Sequence, residues 1–258
     1  MAMSKFVVVD REAMPVKALS SLLSGRERDE VATFKGARLD RTVMSRVLVK
    51  YLTVNEDGPS FSELKPDHIE AVPREAMASV EALSGPAGKR RTAKVVRSGQ
   101  PQAHAVSSAH CGKYTAAARG RGRLGIDLER IATRRPEFYR QMFSDAEREW
   151  VESIHAKRGA STDAAFTFLW GVKEAFLKAS NWPGLTVWSF SQWSTRIGED
   201  VAPILQSEPA ATAVAVRGSI ESAGMTQAFE VNARRVGDMM LVTVQYDDVS
   251  GETGRELL

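Results

Sequence analysis

Two carboxylates stand close together near the middle of the chain, in the segment Gly125–Glu129 (GIDLE). In an extended strand the side chains of residues i and i+2 project from the same face, so Asp127 and Glu129 are predicted to lie side by side. Ile126 and Leu128 then face a core. Oxygen donors of this kind suit Mg²⁺, which takes one or two carboxylates together with water and substrate phosphates. The alternative to metal binding is that the two carboxylates are simply solvated at the end of a strand, and the pair alone does not decide between the two.

A third carboxylate lies in the segment Trp170–Lys178 (WGVKEAFLK). On a helix, Glu174 and Lys178 share a face with Trp170 and Gly171. As an ordinary surface pair, Glu174 and Lys178 would stabilise the helix by about 0.3–0.5 kcal/mol. A carboxylate beside an ammonium group is also what a metal-bound pyrophosphate requires, with one group for the ion or a proton and the other for a phosphoryl oxygen.

Together the two segments resemble the signature of the 4′-phosphopantetheinyl transferases, which is Gly-Ile/Val-Asp-x-Glu followed further along the chain by Trp/Phe-x-x-Lys-Glu-Ala/Ser-x-x-Lys. Other segments resemble the larger, surfactin-synthetase-activating (Sfp-type) branch of that family. Ala109–Lys113 (AHCGK) is similar to its Ser-His-Ser-Gly segment, and Ser98–Pro101 (SGQP) to its Gly-Lys-Pro turn. Arg41–Val43, followed by Val47–Lys50, is similar to its Arg-Thr helix.

The resemblance implies an enzyme that transfers the 4′-phosphopantetheine group of coenzyme A to a serine of an apo acyl or peptidyl carrier protein. Such an enzyme depends on Mg²⁺ and releases 3′,5′-ADP. The implied fold is α+β, with two pseudo-symmetric α/β halves. Residues 1–123 would form the side for the 3′-phosphate and adenine of coenzyme A, and residues 124–258 the Mg²⁺ and pyrophosphate side.

The family pattern also implies roles for individual residues. Asp127, Glu129 and Glu174 would hold Mg²⁺, and Glu174 is in addition a candidate base for the incoming serine. Lys178 is the second catalytic candidate, in contact with the pyrophosphate of coenzyme A, and Lys173 is a further candidate contact of coenzyme A.

The coenzyme side of the implied site lies in the N-terminal half. His110 and Thr42 would hold the 3′-phosphate, supported by Arg26 and Arg28. The segment that would pass beside the adenine consists of Gly99, Gln100 and Pro101. Three positions depart from the family pattern and bear on the adenine side rather than on the metal carboxylates: Gly171 replaces Ser, Cys or Thr, Gln100 replaces a lysine, and Ala109 replaces a serine.

Two other function classes remain open at the level of the sequence. A metal-dependent nuclease also builds a Mg²⁺ site from an Asp and a Glu-x-Lys sequence, but here Lys173 precedes Glu174 and the next lysine is Lys178. A basic nucleic-acid-binding module would use the arginine-rich runs, yet these lack interleaved aromatic residues. We therefore expect no nucleic-acid partner.

The composition favours a folded protein of ordinary type. With 258 residues and 43% hydrophobic content, the chain can bury a sizeable core, and 35 Lys and Arg against 32 Asp and Glu give a net charge of only +3. The single cysteine, Cys111, excludes an internal disulfide framework. The N-terminal apolar stretch is too short for a signal peptide, and no run approaches a membrane span. We expect a soluble, cytoplasmic monomer with no membrane partner.

Hydrophobic patterning predicts a mixture of strands and helices, which indicates an α+β fold. The predicted strands are Phe6–Val9, Val95–Val96, Ala103–Val106, Leu124–Leu128, Thr186–Trp193, Thr212–Val216, Ala228–Asn232 and Met239–Tyr246. The predicted helices are Ser24–Phe34, Thr42–Thr53, Ser144–His155 and Ala164–Ala179. Residues 55–94, rich in Pro and Gly, are predicted to form a long insertion or loop region.

A sequence echo favours two related halves. Leu23-Ser24-x-x-Glu27-Arg28 has the same form as Phe143-Ser144-x-x-Glu147-Arg148, and both are predicted capping boxes. Each opens a polar helix that a more apolar helix follows. Chance coincidence of two capping boxes is the alternative.

Basic residues cluster in two places that an acidic carrier protein could contact. One cluster lies on or beside an N-terminal helix and comprises Arg38, Arg41, Arg46 and Lys50. The other directly precedes the carboxylate strand and comprises Arg119, Arg121 and Arg123.

Overall fold

The protein is described by a computed structural model, which covers residues 4–83, 94–180, 186–206, 213–222 and 224–247. The helices are α1 Val16–Leu19, α2 Gly25–Val31, α3 Gly36–Val54, α4 Pro66–Glu70, α5 Arg74–Ala78, α6 Pro136–Met142, α7 Asp145–Arg158, α8 Thr162–Ala179 and α9 Ala202–Leu205. The strands are β1 Lys5–Asp10, β2 Phe61–Leu64, β3 Val80–Leu83, β4 Lys94–Arg97, β5 Gln100–Pro101, β6 Ala105–Cys111, β7 Tyr114–Gly120, β8 Arg123–Arg130, β9 Ser194–Ile197, β10 Ala213–Ser222, β11 Met225–Val236 and β12 Met239–Tyr246.

Helices and sheets occur together, which confirms the α+β class. One sheet has the order β2-β1-β7-β6, a second has the order β8-β12-β11-β10-β9, and a small third sheet has the order β3-β4-β5. Strands β1 and β2 are parallel, and the other pairings between the described strands are antiparallel. The same connection occurs twice: β1 pairs with β7, the partner of β6, and β8 pairs with β12, the partner of β11.

The two larger sheets pack face to face and each carries one long helix on its outer side. Between the sheets, Phe6 and Val8 belong to the same apolar cluster as Ile126, Leu128 and Leu241. The opposite face of the first sheet packs against α3, and that of the second against α8. This layering follows from strand alternation, because successive side chains of a strand point to opposite faces of its sheet. Alternate residues therefore pack between the two sheets or against the outer helix. It places Ile126 and Leu128 in a core, as predicted, and turns Asp127 toward α8.

The two predicted capping boxes are confirmed, and the first one continues into a buried ion pair. Ser24 accepts from Glu27 N, and Glu27 reaches back to Ser24 N. Lys50 Nζ of α3 lies 2.7 Å from Glu27 Oε2 and donates to Leu22 O at 2.7 Å. The other oxygen, Oε1, accepts from Ala82 N in β3 at 2.9 Å. Both charged side chains are fully buried.

The second capping box has the same pattern of hydrogen bonds and the same kind of ion pair. Ser144 and Glu147 cap α7, and Lys173 Nζ of α8 lies 2.6 Å from Glu147 Oε2. Lys173 also donates to Met142 O at 3.1 Å, and Glu147 Oε1 accepts from Thr195 N in β9 at 3.0 Å. The contacts of Glu27 thus recur at Glu147, including the lysine on the following long helix and a backbone N–H of a strand.

One predicted strand is wrong. Residues 187–192 form a 3₁₀ helix, Val187–Gln192, instead of part of a strand over Thr186–Trp193. Phe190 and Trp193 are buried while Trp188 is 81% exposed, so burial follows the three-residue period of a 3₁₀ helix rather than strict alternation. The carbonyls of Phe190 and Trp193 point to Lys173 Nζ rather than to a neighbouring strand.

Other boundaries shift. The helix predicted over Ser24–Phe34 is the shorter α2, the one over Thr42–Thr53 extends to all of α3, and the strand predicted over Ala103–Val106 is the later and longer β6. The region 55–94 contains β2, α4, α5 and β3 rather than a long loop, and residues 84–93, with most of the basic run Gly88–Lys94, lie outside the described residues. Among the described helices none is long and apolar enough to span a membrane.

Candidate active site

Two glycines bring α8 unusually close to the second sheet. A Cβ atom at Gly125 would lie 1.8 Å from Ala175 O, and one at Gly171 would lie 2.9 Å from a methyl carbon of Val242. A side chain at Gly125 would therefore push the helix away from the strand. Gly125 is needed for this close approach, because it lets the strand lie directly against α8. The approach places residues of α8 next to Asp127.

Asp127 is the centre of the site. Its side chain is buried, and Oδ1 accepts from Lys178 Nζ at 2.7 Å. Lys178 also donates to Ile126 O at 3.0 Å, which holds the ammonium group at the strand. The second carboxylate oxygen, Oδ2, is buried without a hydrogen-bond partner in the part of the chain that the structure describes. A buried anionic oxygen of this kind calls for a cation or a donor from a ligand.

Glu129 lies on the same face of β8 and carries a perturbed carboxyl group. Its Oε1 accepts from Trp170 Nε1 at 3.3 Å, and its Oε2 lies 3.6 Å from Arg134 Nη2. Burial, followed by the negative charge of Asp127, raises the pKa of Glu129 to about 7, and the charge of Glu174 adds to the same effect.

The donor set fits a magnesium ion. Across the described ranges, no group of three His, Cys, Asp or Glu side chains is placed to hold a metal ion, so the predicted trio Asp127, Glu129 and Glu174 is not assembled as a three-carboxylate site in this structure. Mg²⁺ does not need such a site, because it keeps several waters and binds through one or two carboxylates plus substrate phosphates. The unpartnered oxygen of Asp127 and the raised pKa of Glu129 are the two observations that fit an ion here.

Positive charges converge on His110 from both halves of the chain. His110 is on β6, and burial, followed by the nearby charges of Arg41, Lys178 and Arg11, lowers its pKa. Asp127 acts on His110 in the opposite direction. The sequence-predicted residues His110, Lys178 and Asp127 therefore lie within range of one another's charges.

Arg11 is a site residue that the sequence did not reveal. It follows β1, and its guanidinium donates to the carbonyls of Gly112 and Lys113, in the turn directly after His110 and Cys111. Burial and the charge of Arg41 lower the pKa of Arg11. No motif marks this arginine, because only the pairing of β1 with β7 brings residue 11 to that turn.

The remaining N-terminal candidates have local roles in the structure. Thr42 Oγ1 donates to Arg38 O at 2.9 Å. Thr42 directly follows Arg41, whose charge acts on His110. Arg28 donates to Leu23 O at 2.7 Å, and Arg26 is exposed on α2. The structure therefore connects Thr42 with the cationic cluster through its neighbour, whereas Arg28 supports the helix start.

The predicted adenine segment forms a tight hairpin. Ser98 and Gly99 both have positive φ, 50° and 78°, between β4 and β5. Two consecutive residues of this kind form the hairpin turn that matches the strand twist. Gln100 and Pro101 follow on β5 and are exposed.

Lys173 is not available to coenzyme A in this structure. Its side chain is fully buried and its ammonium group is surrounded by Glu147 and backbone carbonyls. The expectation that Lys173 contacts coenzyme A is therefore corrected. The predicted basic cluster on α3 changes in the same way, because Arg46 is buried against Glu30 and Lys50 against Glu27.

A cavity of about 300 Å³ opens beside Glu129. Its walls are mainly aromatic, and Phe138 packs on Trp170 with ring centroids 5.2 Å apart. Tyr139 and Phe166 stack at 4.1 Å. The lining residues are Glu129, Ala132, Arg134, Phe138, Tyr139, Phe166, Thr167 and Trp170. Of these residues, the sequence motifs singled out Glu129 and Trp170.

Residues 123–221 match the family model described as the 4′-phosphopantetheinyl transferase superfamily. The match includes β8 and α8, and therefore Asp127, Glu129, Glu174 and Lys178. It ends short of β11 and β12 and does not extend to the N-terminal residues of the site. No curated protein matched the chain. The match supports a superfamily assignment for this segment, and with it phosphopantetheinyl transfer in general.

Proposed function

We propose that the protein transfers the 4′-phosphopantetheine group of coenzyme A to a serine of an apo acyl or peptidyl carrier protein. The observation that carries the proposal is the buried, unpartnered Oδ2 of Asp127 beside Lys178, inside the segment that matches the superfamily. Both groups belong to the motif that was identified from the sequence. The proposed halves, residues 1–123 and 124–258, would meet one residue into β8.

The proposed binding mode follows the charges of the site. Asp127 and Glu129, with Glu174 beside them, would hold Mg²⁺, which when bound offsets the charge that builds up on the pyrophosphate. Lys178 would donate to a phosphoryl oxygen, since an ammonium group has three protons and the structure engages it with two acceptors. Arg11 and Arg41 would provide positive charge for the 3′-phosphate, and His110, whose lowered pKa favours the neutral imidazole, would donate a hydrogen bond to it.

The proposed reaction is a displacement at phosphorus. The serine hydroxyl of the carrier attacks the phosphorus that bears pantetheine, forming a new P–O bond, and the bond to the second phosphate breaks. The electron pair of that bond leaves with 3′,5′-ADP. Glu174 accepts the serine proton, and Lys178 donates to the charged oxygens. The aromatic cavity beside Glu129 offers the pantetheine arm a place close to the reacting phosphate.

The direct test is transfer itself. The protein is incubated with coenzyme A, Mg²⁺ and a panel of apo carrier proteins, and each carrier is analysed by mass spectrometry for the pantetheine increment and for 3′,5′-ADP. A carrier that gains the increment only with coenzyme A and Mg²⁺ supports the proposal. A panel without any increment, together with retention on DNA rather than on a coenzyme A column, would favour the nucleic-acid-binding class instead.

A further inference from the structure

The buried pair Glu147–Lys173 connects more of the structure than an ordinary ion pair. Lys173 Nζ lies within hydrogen-bonding distance of Glu147 Oε2 and Phe190 O, both at 2.6 Å, and of Met142 O at 3.1 Å. Glu147 Oε1 accepts from Thr195 N at 3.0 Å. The ammonium group of Lys173 thus ties α8 to α6, α7 and the 3₁₀ helix, and the carboxylate of Glu147 adds β9.

The pair lies next to the candidate site along α8. Consecutive residues of an α-helix point about 100° apart, so the direction of Lys173 fixes the direction of Glu174. Lys178 lies further along the same helix and reaches Asp127. The close contact at Gly125 sets the distance between helix and strand, whereas it leaves the rotation of the helix about its axis to other contacts.

We propose that Glu147 and Lys173 are positioning residues that fix the rotation of α8, so that Glu174 and Lys178 face Asp127. This inference rests on the proposed function in one respect, namely that the carboxylates hold a divalent ion. Neither Glu147 nor Lys173 is exposed, so neither touches a ligand.

The N-terminal half provides a matched control. Glu27 and Lys50 form a pair of the same chemistry and burial, beside a capping serine, and Glu27 likewise accepts from the backbone N–H of a strand residue, Ala82. The residue after Lys50 is Tyr51, not a carboxylate. Disrupting this pair should disturb the fold in the same way without rotating the helix that carries the site.

The variants replace both partners at once. Removing one partner of a buried pair leaves an uncompensated charge, whereas removing both charges is often tolerated. The test variant is Glu147→Gln/Lys173→Met and the control is Glu27→Gln/Lys50→Met. Glutamine keeps one oxygen as an acceptor for a backbone N–H in each half.

The readout is Mn²⁺ affinity, measured by electron paramagnetic resonance of the free ion with no substrate present. We expect the Glu147→Gln/Lys173→Met variant to bind Mn²⁺ at least ten-fold more weakly than the wild type. The Glu27→Gln/Lys50→Met variant should remain within two-fold, although thermal unfolding shows a comparable loss of stability. Equal weakening in both variants, or unchanged affinity in a folded Glu147→Gln/Lys173→Met variant, would overturn the positioning role.

The test separates this inference from the proposed function. A wild-type protein that binds Mn²⁺ but modifies no carrier contradicts the transferase proposal, while the contrast between the two variants still decides the positioning role. A wild-type protein that binds no Mn²⁺ contradicts both.

Discussion

Lys178 Nζ donates to Asp127 Oδ1 at 2.7 Å, and this bond leaves Asp127 Oδ2 buried and unpartnered among the described residues. The same ammonium group also donates to Ile126 O. Lys178 is therefore held by the strand backbone and one carboxylate oxygen, and its third proton is left for a ligand. The other oxygen of Asp127 is a buried anionic acceptor, which a cation or a donor from a ligand would stabilise.

The first prediction concerns this oxygen. Asp127→Asn keeps an acceptor for Lys178 but removes the negative charge, so the fold should remain. Transfer should fall by at least about 100-fold, which exceeds the loss typical for residues that only hydrogen-bond to a metal ligand. Transfer is measured by carrier mass at saturating Mg²⁺, and folding by circular dichroism. Asp200→Asn, an exposed acid outside the site, serves as the control. Undiminished turnover of Asp127→Asn would show that this carboxylate holds no ion.

The second prediction concerns His110. If His110 and its cationic neighbours bind the 3′-phosphate, His110→Ala should weaken binding of coenzyme A by about ten-fold, the loss of one polar contact to a charged group. Binding of 3′-dephospho-coenzyme A should change much less, because the group that His110 contacts is missing. Isothermal titration calorimetry with both ligands tests this. Similar losses for the two ligands would mean that His110 has a structural role only.

Local sequence patterns predicted much of the fold. The capping boxes at Ser24 and Ser144, the core positions Ile126 and Leu128, and the α+β class all follow from patterns within a few residues. The 3₁₀ helix Val187–Gln192 did not follow, because the buried ammonium group of Lys173 engages its carbonyls from a distant helix. Alternation in the sequence cannot reveal such a contact.

The candidate site divides in the same way. Its carboxylates and Lys178 were predicted because residues i and i+2 of a strand share a face, as do residues i and i+4 of a helix. Arg11 was missed and Lys173 was placed wrongly, since both depend on which segments pack together. A lysine in a motif looks the same in a sequence whether it meets solvent or a buried glutamate.

The third prediction follows from the raised pKa of Glu129. With a pKa of about 7, this carboxyl must lose a proton before it can bind an ion, so Mn²⁺ affinity should rise with pH by up to about ten-fold per unit below pH 7 and level off above it. Because the folded pKa lies above the ordinary value, the ion-free protein should also lose stability as pH rises through 7. Glu129→Gln should flatten both dependences. A steep dependence in Glu129→Gln would assign the titration to another group.

The fourth prediction concerns His104, the residue directly before β6. Arg119 donates to its Nδ1 at 3.2 Å, and burial followed by the Arg119 charge lowers the pKa of His104 to about 4. Between pH 6.5 and pH 4 the unfolded chain binds a proton that the folded protein does not, so stability falls as pH decreases. After a discount for the partial exposure of His104, we expect the free energy of unfolding to fall by about 2 kcal/mol over this pH range. Urea unfolding at several pH values should show a shallower acid decline for His104→Gln, and parallel curves would contradict the assignment.

The fifth prediction concerns the carrier protein and revises the expected basic surface. Arg121 lies in the turn before β8, and Arg123 is the first residue of β8, four residues before Asp127 and about 13 Å away at the rise of an extended strand. Beyond Arg134, which lies 3.6 Å from Glu129 in the site, the exposed positive charges that follow the carboxylates are Arg130, whose side chain is 56% exposed, and Arg135 at the start of α6. An acidic carrier approaching the carboxylate site should therefore meet Arg130 and Arg135.

Charge reversal at the two ends of β8 tests this. Arg130→Glu/Arg135→Glu should raise the KM for an acidic carrier several-fold at low salt while changing kcat less, because encounter and orientation depend on the charges more than the chemical step does. Arg121→Glu/Arg123→Glu, at the far end, is the matched control and should leave that KM within two-fold. Raising the ionic strength from about 0.1 M to about 1 M shortens the Debye length from about 10 Å to about 3 Å, so the difference between the variants should shrink. A larger effect at Arg121 and Arg123 would place the carrier at the opposite end of the strand, and equal KM values in all proteins would mean that carrier recognition is mainly apolar.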